Sequence, residues 1–99
     1  MKRKKCYNAG KISGLSYLSA YNKFEKHDKL IENQLGMRPV NPMIDGLPAN
    51  WPWICHMVFD VCLLIGCSAV LFQCDFKESR GARIEHFFAK LFGKDIYHA

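Results

Sequence analysis

Apolar positions along the chain follow two patterns: short continuous runs, and longer stretches in which they recur every three or four residues. The short runs are bounded by glycine, proline or polar residues, which predicts strands. These strands cover residues 4–9, 37–41, 68–74 and 95–97. The longer stretches predict helices, and a glycine follows each of them as a stop signal. These helices cover residues 16–35, 52–65 and 80–92.

The predicted elements alternate in the order β-α-β-α-β-α-β, which indicates an α/β fold. Short connections favour a parallel sheet with helices on both faces. We therefore expect a small flavodoxin-like or Rossmann-like three-layer sandwich with a four-stranded parallel sheet, a fifth strand being the alternative. A chain of 99 residues has room for one core, so we expect a single domain over 1–99, with a basic, flexible N-terminus at 1–4.

The formal net charge of the chain is +5, and much of the excess lies in the run from Lys2 to Lys5. Such a run can bind nucleic acid or an acidic membrane surface, and it is also typical of a solvated terminus ahead of a first strand. Because no surface motif of aromatic and basic residues accompanies it, a nucleic-acid-binding module is only an alternative. Diffuse positive charge also suits a site for phosphorylated small molecules.

The five cysteines lie in apolar stretches without CxxC spacing, and their odd number argues against a secreted disulfide framework. Cys55, His56 and Cys62 are near one another, but their spacing matches no usual zinc pattern. The apolar run 54–72 contains His56 and Asp60, which favours a buried helix, a turn and a buried strand over a membrane span. We expect a cytoplasmic protein with buried free thiols, no membrane contact, no metal and no cofactor.

The carboxyl ends of the predicted strands carry the candidate chemistry, because ligands of open parallel sheets bind there. These ends are residues 8–14, 41–42 and 75–81. The first contains Gly10 and Ser13, and the third brings Ser79 and Gly81 to the N-terminus of a helix. Both segments can cradle a phosphate through backbone N–H groups, the helix dipole and a hydroxyl.

Two carboxylates stand out in the predicted helices. Asp60 lies in the middle of an apolar helix, either on a narrow exposed stripe or as a partly buried group that needs a partner or a task. Glu85 follows Ser79 by six residues in the early turns of the last helix. Its simpler interpretation is a solvated helix residue that pairs with Arg83 or Lys90.

Four blocks of the sequence, in order, resemble motifs of the nucleoside 2-deoxyribosyltransferase-like superfamily. They are KCYNAGKISGL at 5–15, Asn41-Pro42, Trp53-x3-Met57-x2-Asp60, and SRGARIEH at 79–86. The first is similar to the hYhAGPhoG opening of that superfamily, and the last to its Ser-x-Gly-Ala-x-x-Glu segment. The blocks span nearly the whole chain and most resemble a short phage and bacterial branch, which is related to nucleotide N-glycosidases.

The resemblance implies an enzyme that acts at an N-glycosidic bond, either an N-glycosidase or a deoxyribosyltransferase. It implies that Glu85 is the nucleophile at the anomeric carbon and that Asp60 assists proton transfer at the base. Ser79 matches a serine that contacts a 5′-phosphate in nucleotide-cleaving relatives. Arg80 and Gly81 lie beside it, and the arginine adds a cation for a phosphorylated substrate.

The same resemblance implies that Tyr7, Asn8, Gly10 and Ser13 line the sugar-phosphate side of the site. Asn41 is either a ligand contact or a structural loop residue. Three positions depart from the pattern of the superfamily: Lys11 for proline, Ser68 for aspartate and Phe76 for tryptophan. These departures leave the base-binding side of the site open. They leave open a non-catalytic nucleotide-binding protein of the same fold.

Large apolar side chains are numerous for so short a chain, and either they fill one core or some of them form a subunit interface. They are Trp51, Trp53, Met57, Phe59, Phe87, Phe88 and Phe92. Relatives with this fold complete their sites with residues of a neighbouring subunit. We therefore expect a homodimer or higher homo-oligomer that binds a nucleoside or nucleotide.

Overall fold

Strands and helices alternate in the predicted order in a computed structural model, which describes residues 3–12, 14–44 and 50–99. The strands are β1 (Lys5–Ala9), β2 (Arg38–Val40), β3 (Ala69–Phe72) and β4 (Asp95–His98). The helices are α1 (Tyr17–Leu30), α2 (Trp53–Ile65) and α3 (Arg80–Leu91). Serine side chains at positions 16 and 79 accept hydrogen bonds from amides of the first turns of α1 and α3, and so cap both helices.

The four strands are parallel and lie in the order β2-β1-β3-β4. The first strand is central, since Tyr7 pairs with Val40 on one side and with Val70 on the other. Pro39 lies on the edge strand β2, where a residue without an N–H is tolerated. Helices pack on both faces of the sheet, so the predicted three-layer α/β sandwich with a four-stranded parallel sheet is confirmed.

Alternating side chains divide the core into two layers. The layer against α2 and α3 contains the strand residues Tyr7, Ala9, Val70 and Phe72. The layer against α1 contains the strand residues Cys6, Ala69 and Leu71. Because β3 is buried on both faces, its sequence is a continuous apolar run rather than an alternating one. The strand β1 is also buried from Cys6 to Ala9, but it includes the polar Asn8.

Tertiary packing changes three connections from their predicted form. The helix predicted for 16–35 changes at its end into a π-helical turn, Ile31–Leu35, which buries Ile31 under the sheet. The predicted polar loop 75–79 contains a 3-10 turn, Phe76–Glu78, since Phe76 is buried with its ring 5.0 Å from that of Phe72. The predicted loop 42–52 begins with a 3-10 turn, Pro42–Ile44, and its residues 45–49 lie outside the described part of the chain.

The five cysteines are all free, but they are not all buried. Cys6 and Cys67 lie in the core, and burial raises the pKa of their thiols to about 12 and about 11. Cys62 and Cys74 are exposed, because the outer side of α2 and the end of β3 are open to solvent. The expectation of buried thiols was therefore wrong for these two. No helix in the described ranges is both long enough and apolar enough to cross a membrane.

Candidate active site

A cleft of about 410 Å³ opens at the carboxyl edge of the sheet. Its walls come from the loop after β1, the turn after β2, one face of α2 and the segment that begins α3. The residues with an expected role that line this cleft are Gly10, Asp60, Ser79, Arg80, Gly81 and Glu85. The fold thus brings together residues that are as many as 75 positions apart in the sequence.

Glu85 is the most deeply buried acid of the cleft, with 5% of its surface exposed on the second turn of α3. The hydroxyl of Tyr7 donates a hydrogen bond to its Oε2. Burial raises the pKa of Glu85 to about 8; the Tyr7 hydrogen bond acts to lower it, and the negative charge of Asp60 acts to raise it. The carboxyl therefore changes its charge near neutral pH, where a catalytic acid, base or nucleophile is useful.

Tyr7 reaches Glu85 because its position on β1 faces α2 and α3. Its side chain is fully buried. Burial, together with the negative charges of Glu85 and Asp60, holds the pKa of the Tyr7 phenol well above its usual value. The phenol stays protonated and remains the donor, so it fixes one oxygen of the Glu85 carboxyl.

Asp60 lies on the face of α2 that also carries Trp53 and Met57, at helical spacings of seven and three residues. All three side chains line the cleft, and Asp60 is half-buried there rather than on an outward stripe. Asp60 and Glu85 line the same cleft, and the negative charge of Asp60 acts to raise the pKa of Glu85. The cleft therefore contains a pair of acids on two neighbouring helices.

The beginning of α3 brings polar groups to the same cleft. Ser79 caps the helix, and Arg80 follows with its guanidinium 4.7 Å from the ring centroid of Trp53, which is a cation–π arrangement. A Cβ added at Gly81 would lie 3.2 Å from Sδ of Met57, so glycine lets α3 approach α2 closely. A helix N-terminus and a cation beside an aromatic ring form a suitable surface for an anionic ligand.

Gly10 lies at the base of the cleft, against a buried amide. A Cβ at this position would lie 2.5 Å from both Cδ and Oε1 of Gln73, so no larger residue fits without displacement. Gln73 is buried just after β3, and its Nε2 donates to Oδ1 of Asn8 at 2.7 Å. The close contact between Gly10 and Gln73 fixes the path of the loop that leaves β1.

Asn8 and Asn41 hydrogen bond to α1 instead of lining the cleft. Asn8 is fully buried, and its Nδ2 donates to Oδ1 of Asp28 at 2.8 Å and to the Phe24 carbonyl at 2.9 Å. The Nδ2 of Asn41 donates to Oδ2 of Asp28 at 3.0 Å, and its Oδ1 accepts from the Met43 amide at 2.8 Å. Asp28 thereby ties the ends of β1 and β2 to one helix.

Sequence reasoning missed Asp28 and Gln73. An aspartate in a polar helix has the local pattern of a solvated residue, and no spacing rule marks Gln73. The seven- and three-residue spacing of Trp53 and Met57 from Asp60 was the signal that these two residues share its face. Ser13, which was expected at the sugar-phosphate side, lies outside the described residues. Within the described ranges, no group of three or more Cys, His, Asp or Glu side chains is arranged to hold a metal ion.

The chain belongs to the DUF4406 family, a domain of unknown function, whose family model matches residues 4–98. Its fold is similar to that of a 2-desoxiribosyltransferase from Leishmania mexicana, with a TM-score of 0.71 and 14% sequence identity. The similarity covers 96% of this chain but 63% of that one, so the chain spans less than two thirds of the length of this relative. A search of curated proteins gave no match. The predicted relationship to deoxyribosyltransferases is confirmed at the level of the fold.

Proposed function

We propose that this protein acts on the N-glycosidic bond of a nucleoside or a nucleoside 5′-monophosphate, as an N-glycosidase or a 2-deoxyribosyltransferase. The observation that carries the proposal is the buried Glu85, which Tyr7 holds by a hydrogen bond at the wall of an open cleft that also contains Asp60. A buried carboxyl with a strongly shifted pKa in a cleft is more typical of a reacting group than of a structural one. The fold shared with a 2-desoxiribosyltransferase supports the choice of reaction.

The reaction takes place in two displacements. The two carboxyls hold one proton between them, and the reacting state is the one in which Asp60 carries it and Glu85 is ionised. Glu85 then attacks the anomeric carbon, the bond from that carbon to the base breaks, and its electron pair leaves with the base. Asp60 delivers the proton that neutralises the departing base. In the second step, water or a second base attacks the same carbon, the bond to Glu85 breaks, and Asp60 takes up the proton of the incoming nucleophile.

The beginning of α3 gives a 5′-phosphate a place in the same cleft. The N-terminus of a helix attracts anions through its free N–H groups and its dipole, and a hydroxyl and a guanidinium stand beside it at Ser79 and Arg80. The guanidinium of Arg80 lies over the indole of Trp53, which adds a flat apolar surface to the cleft. These groups favour a phosphorylated substrate over a free nucleoside.

Base release from a panel of nucleosides and nucleoside 5′-monophosphates tests the proposal. The wild-type protein is expected to release or exchange the base of at least one compound, as measured by chromatography. Glu85→Gln should abolish the release of the base, and it keeps the size of the side chain and so the packing around it. Exposed Glu25 on α1 provides a control, since Glu25→Gln should release base at the wild-type rate. Full activity of Glu85→Gln would refute the role of Glu85.

A non-catalytic nucleotide-binding protein is the second candidate. With a pKa of about 8, Glu85 is largely protonated at pH 7, and a protonated carboxyl can donate a hydrogen bond to a ligand instead of attacking it. Thermal shift against the same panel, followed by chromatography of the bound compound, separates the two functions. An intact nucleotide after long incubation with the wild-type protein would favour the binding function.

We further expect the protein to work as a homo-oligomer in the cytoplasm, where its free thiols stay reduced. The outer side of α2 carries exposed apolar residues with alternating four- and three-residue spacing and no charge among them. They are Val58, Cys62 and Ile65, and the same spacing extends back to the half-buried Cys55 and to the exposed Trp51 just before the helix. This is the spacing of a helix–helix seam, and a second copy of α2 is the partner that matches it without charged groups. Light scattering should give a dimer or larger, and Val58→Lys should give a monomer.

A further inference from the structure

The cleft wall that follows β1 is held from outside by two charged side chains. Gly10 and Ile12 line the cleft, and Lys11 stands between them. The amide of Lys11 donates to Oδ1 of Asp75 at 3.2 Å, and its carbonyl accepts from Nζ of Lys23 at 2.6 Å. Both backbone groups of one residue are therefore bound by side chains from other segments.

The two side chains also bind each other. The Nζ of Lys23 lies 2.6 Å from Oδ2 of Asp75, and the two side chains are 22% and 21% exposed. Another ion pair of α1, between Lys29 and Glu25, has a separation of 3.6 Å and exposures of 70% and 48%. The Lys23–Asp75 pair is thus shorter and better shielded from water, and such pairs hold geometry better than exposed ones.

The donor and acceptor roles of Lys23 and Asp75 cannot be exchanged. The N–H of Lys11 needs an acceptor, which the carboxylate of Asp75 provides, and the C=O needs a donor, which the ammonium of Lys23 provides. Burial acts to raise the pKa of Asp75, but the hydrogen bonds from Lys23 and from the Lys11 amide outweigh it and lower the pKa overall. The carboxylate therefore stays ionised across the neutral range.

We propose that Lys23 and Asp75 are positioning residues that hold the wall from Gly10 to Ile12 in its ligand-binding conformation and so set the affinity of the cleft. They line no part of the cleft themselves and would act through the Lys11 backbone. The expected effect on ligand affinity rests on the proposed function. The expected effect on the conformation of the wall from Gly10 to Ile12 does not.

The first experiment measures the order of the wall directly. Hydrogen exchange of the Lys11 amide should be about tenfold faster or more in Asp75→Ala and Lys23→Met than in the wild type, because the released segment gains backbone freedom. Lys29→Met, which breaks the exposed pair of the same helix, should leave that exchange unchanged. If the Lys11 amide exchanges at the wild-type rate in both Lys23→Met and Asp75→Ala, the proposal is overturned.

The second experiment uses the polarity of the contacts. The double variant Lys23→Asp/Asp75→Lys restores an ion pair but puts a donor opposite the Lys11 N–H and an acceptor opposite its carbonyl. We expect it to recover thermal stability relative to the single variants and to leave the Lys11 amide unprotected. Recovery of protection as well would mean that charge pairing alone matters, which would contradict a positioning role.

The third experiment measures the consequence for ligands. With the substrate identified by base release, Lys23→Met should raise KM about tenfold, because the ligand must order the wall on binding, and should change kcat less than about threefold. An equal loss in kcat with unchanged KM would overturn the proposal. If the wild-type protein releases no base, the proposed function fails, and the exchange measurements still decide whether the two side chains hold the wall.

Discussion

Glu85→Gln should change how the folding stability of this protein depends on pH. In the folded chain, burial raises the pKa of Glu85 to about 8 from the ordinary value of 4.5 that it regains on unfolding. Between these two values the unfolded chain has released the proton that the folded chain still holds. The free energy of unfolding of the wild type therefore falls as the pH rises from about 4.5 to about 8. Below this range Glu85 costs no stability, and above it the loss is complete.

The size of the effect follows from the shift. One pKa unit corresponds to about 1.4 kcal/mol, so between pH 5 and pH 8 the wild type should lose about 3 to 4 kcal/mol that Glu85→Gln does not lose. Domains of this kind are stable by about 5 to 15 kcal/mol in total, so a loss of this size is readily measured.

Urea unfolding followed by circular dichroism at pH 5, 6, 7 and 8 measures the difference. The free energy of unfolding of Glu85→Gln, less that of the wild type, should grow steadily from pH 5 to pH 8. Glu25→Gln, which changes an exposed carboxyl of α1, provides the matched control and should follow the wild type. Parallel curves for the wild type and Glu85→Gln would show instead that the buried carboxyl does not retain its proton in this range.

Two further changes test neighbouring parts of the site. Tyr7→Phe removes a hydrogen bond to the Glu85 carboxylate, which is worth about 1.5 to 3 kcal/mol. The pKa of Glu85 should therefore rise, and the pH at which the wild-type loss of stability ends should move up by about one to two units in Tyr7→Phe. If that pH does not change, Tyr7 does not hydrogen bond to Glu85. Gly10→Ala forces a Cβ to within 2.5 Å of the buried Gln73 amide, which should cost about 1 to 3 kcal/mol and lower Tm by several degrees. Gly66→Ala, whose Cβ would meet nothing nearer than 3.5 Å, is the control, and equal Tm values for the two variants would count against the close contact at position 10.

The fold was predictable because its main determinants are local. A strand covered on both faces must be apolar throughout, as in the 68–74 run, and glycines mark the ends of the helices. The π-helical turn after α1 and the 3-10 turn at Phe76 were not predictable, because both depend on burial against the sheet. Ile31 and Phe76 are buried against residues from other segments of the chain, and no local pattern signals that.

The candidate site was predictable only where topology and motif coincide. Gly10 follows β1, Ser79 caps α3 and Glu85 lies on the second turn of that helix, so a parallel sheet brings all three to one edge. The contacts of Asn8 were not predictable, because they depend on Asp28, twenty residues away on another element. The placement of Lys23 and Asp75 around Lys11 likewise arises from three segments that meet only in the folded chain.

Mass spectrometry of a trapped intermediate shows whether Glu85 reacts at the anomeric carbon of a nucleoside or nucleotide. The protein is incubated with a 2′-fluoro analogue of the compound whose base it releases, and the adduct is located by peptide mapping. We expect a mass increase of one glycosyl group on Glu85 in the wild type and none in Glu85→Gln. An adduct on another residue, or base release by Glu85→Gln at the wild-type rate, would contradict this expectation.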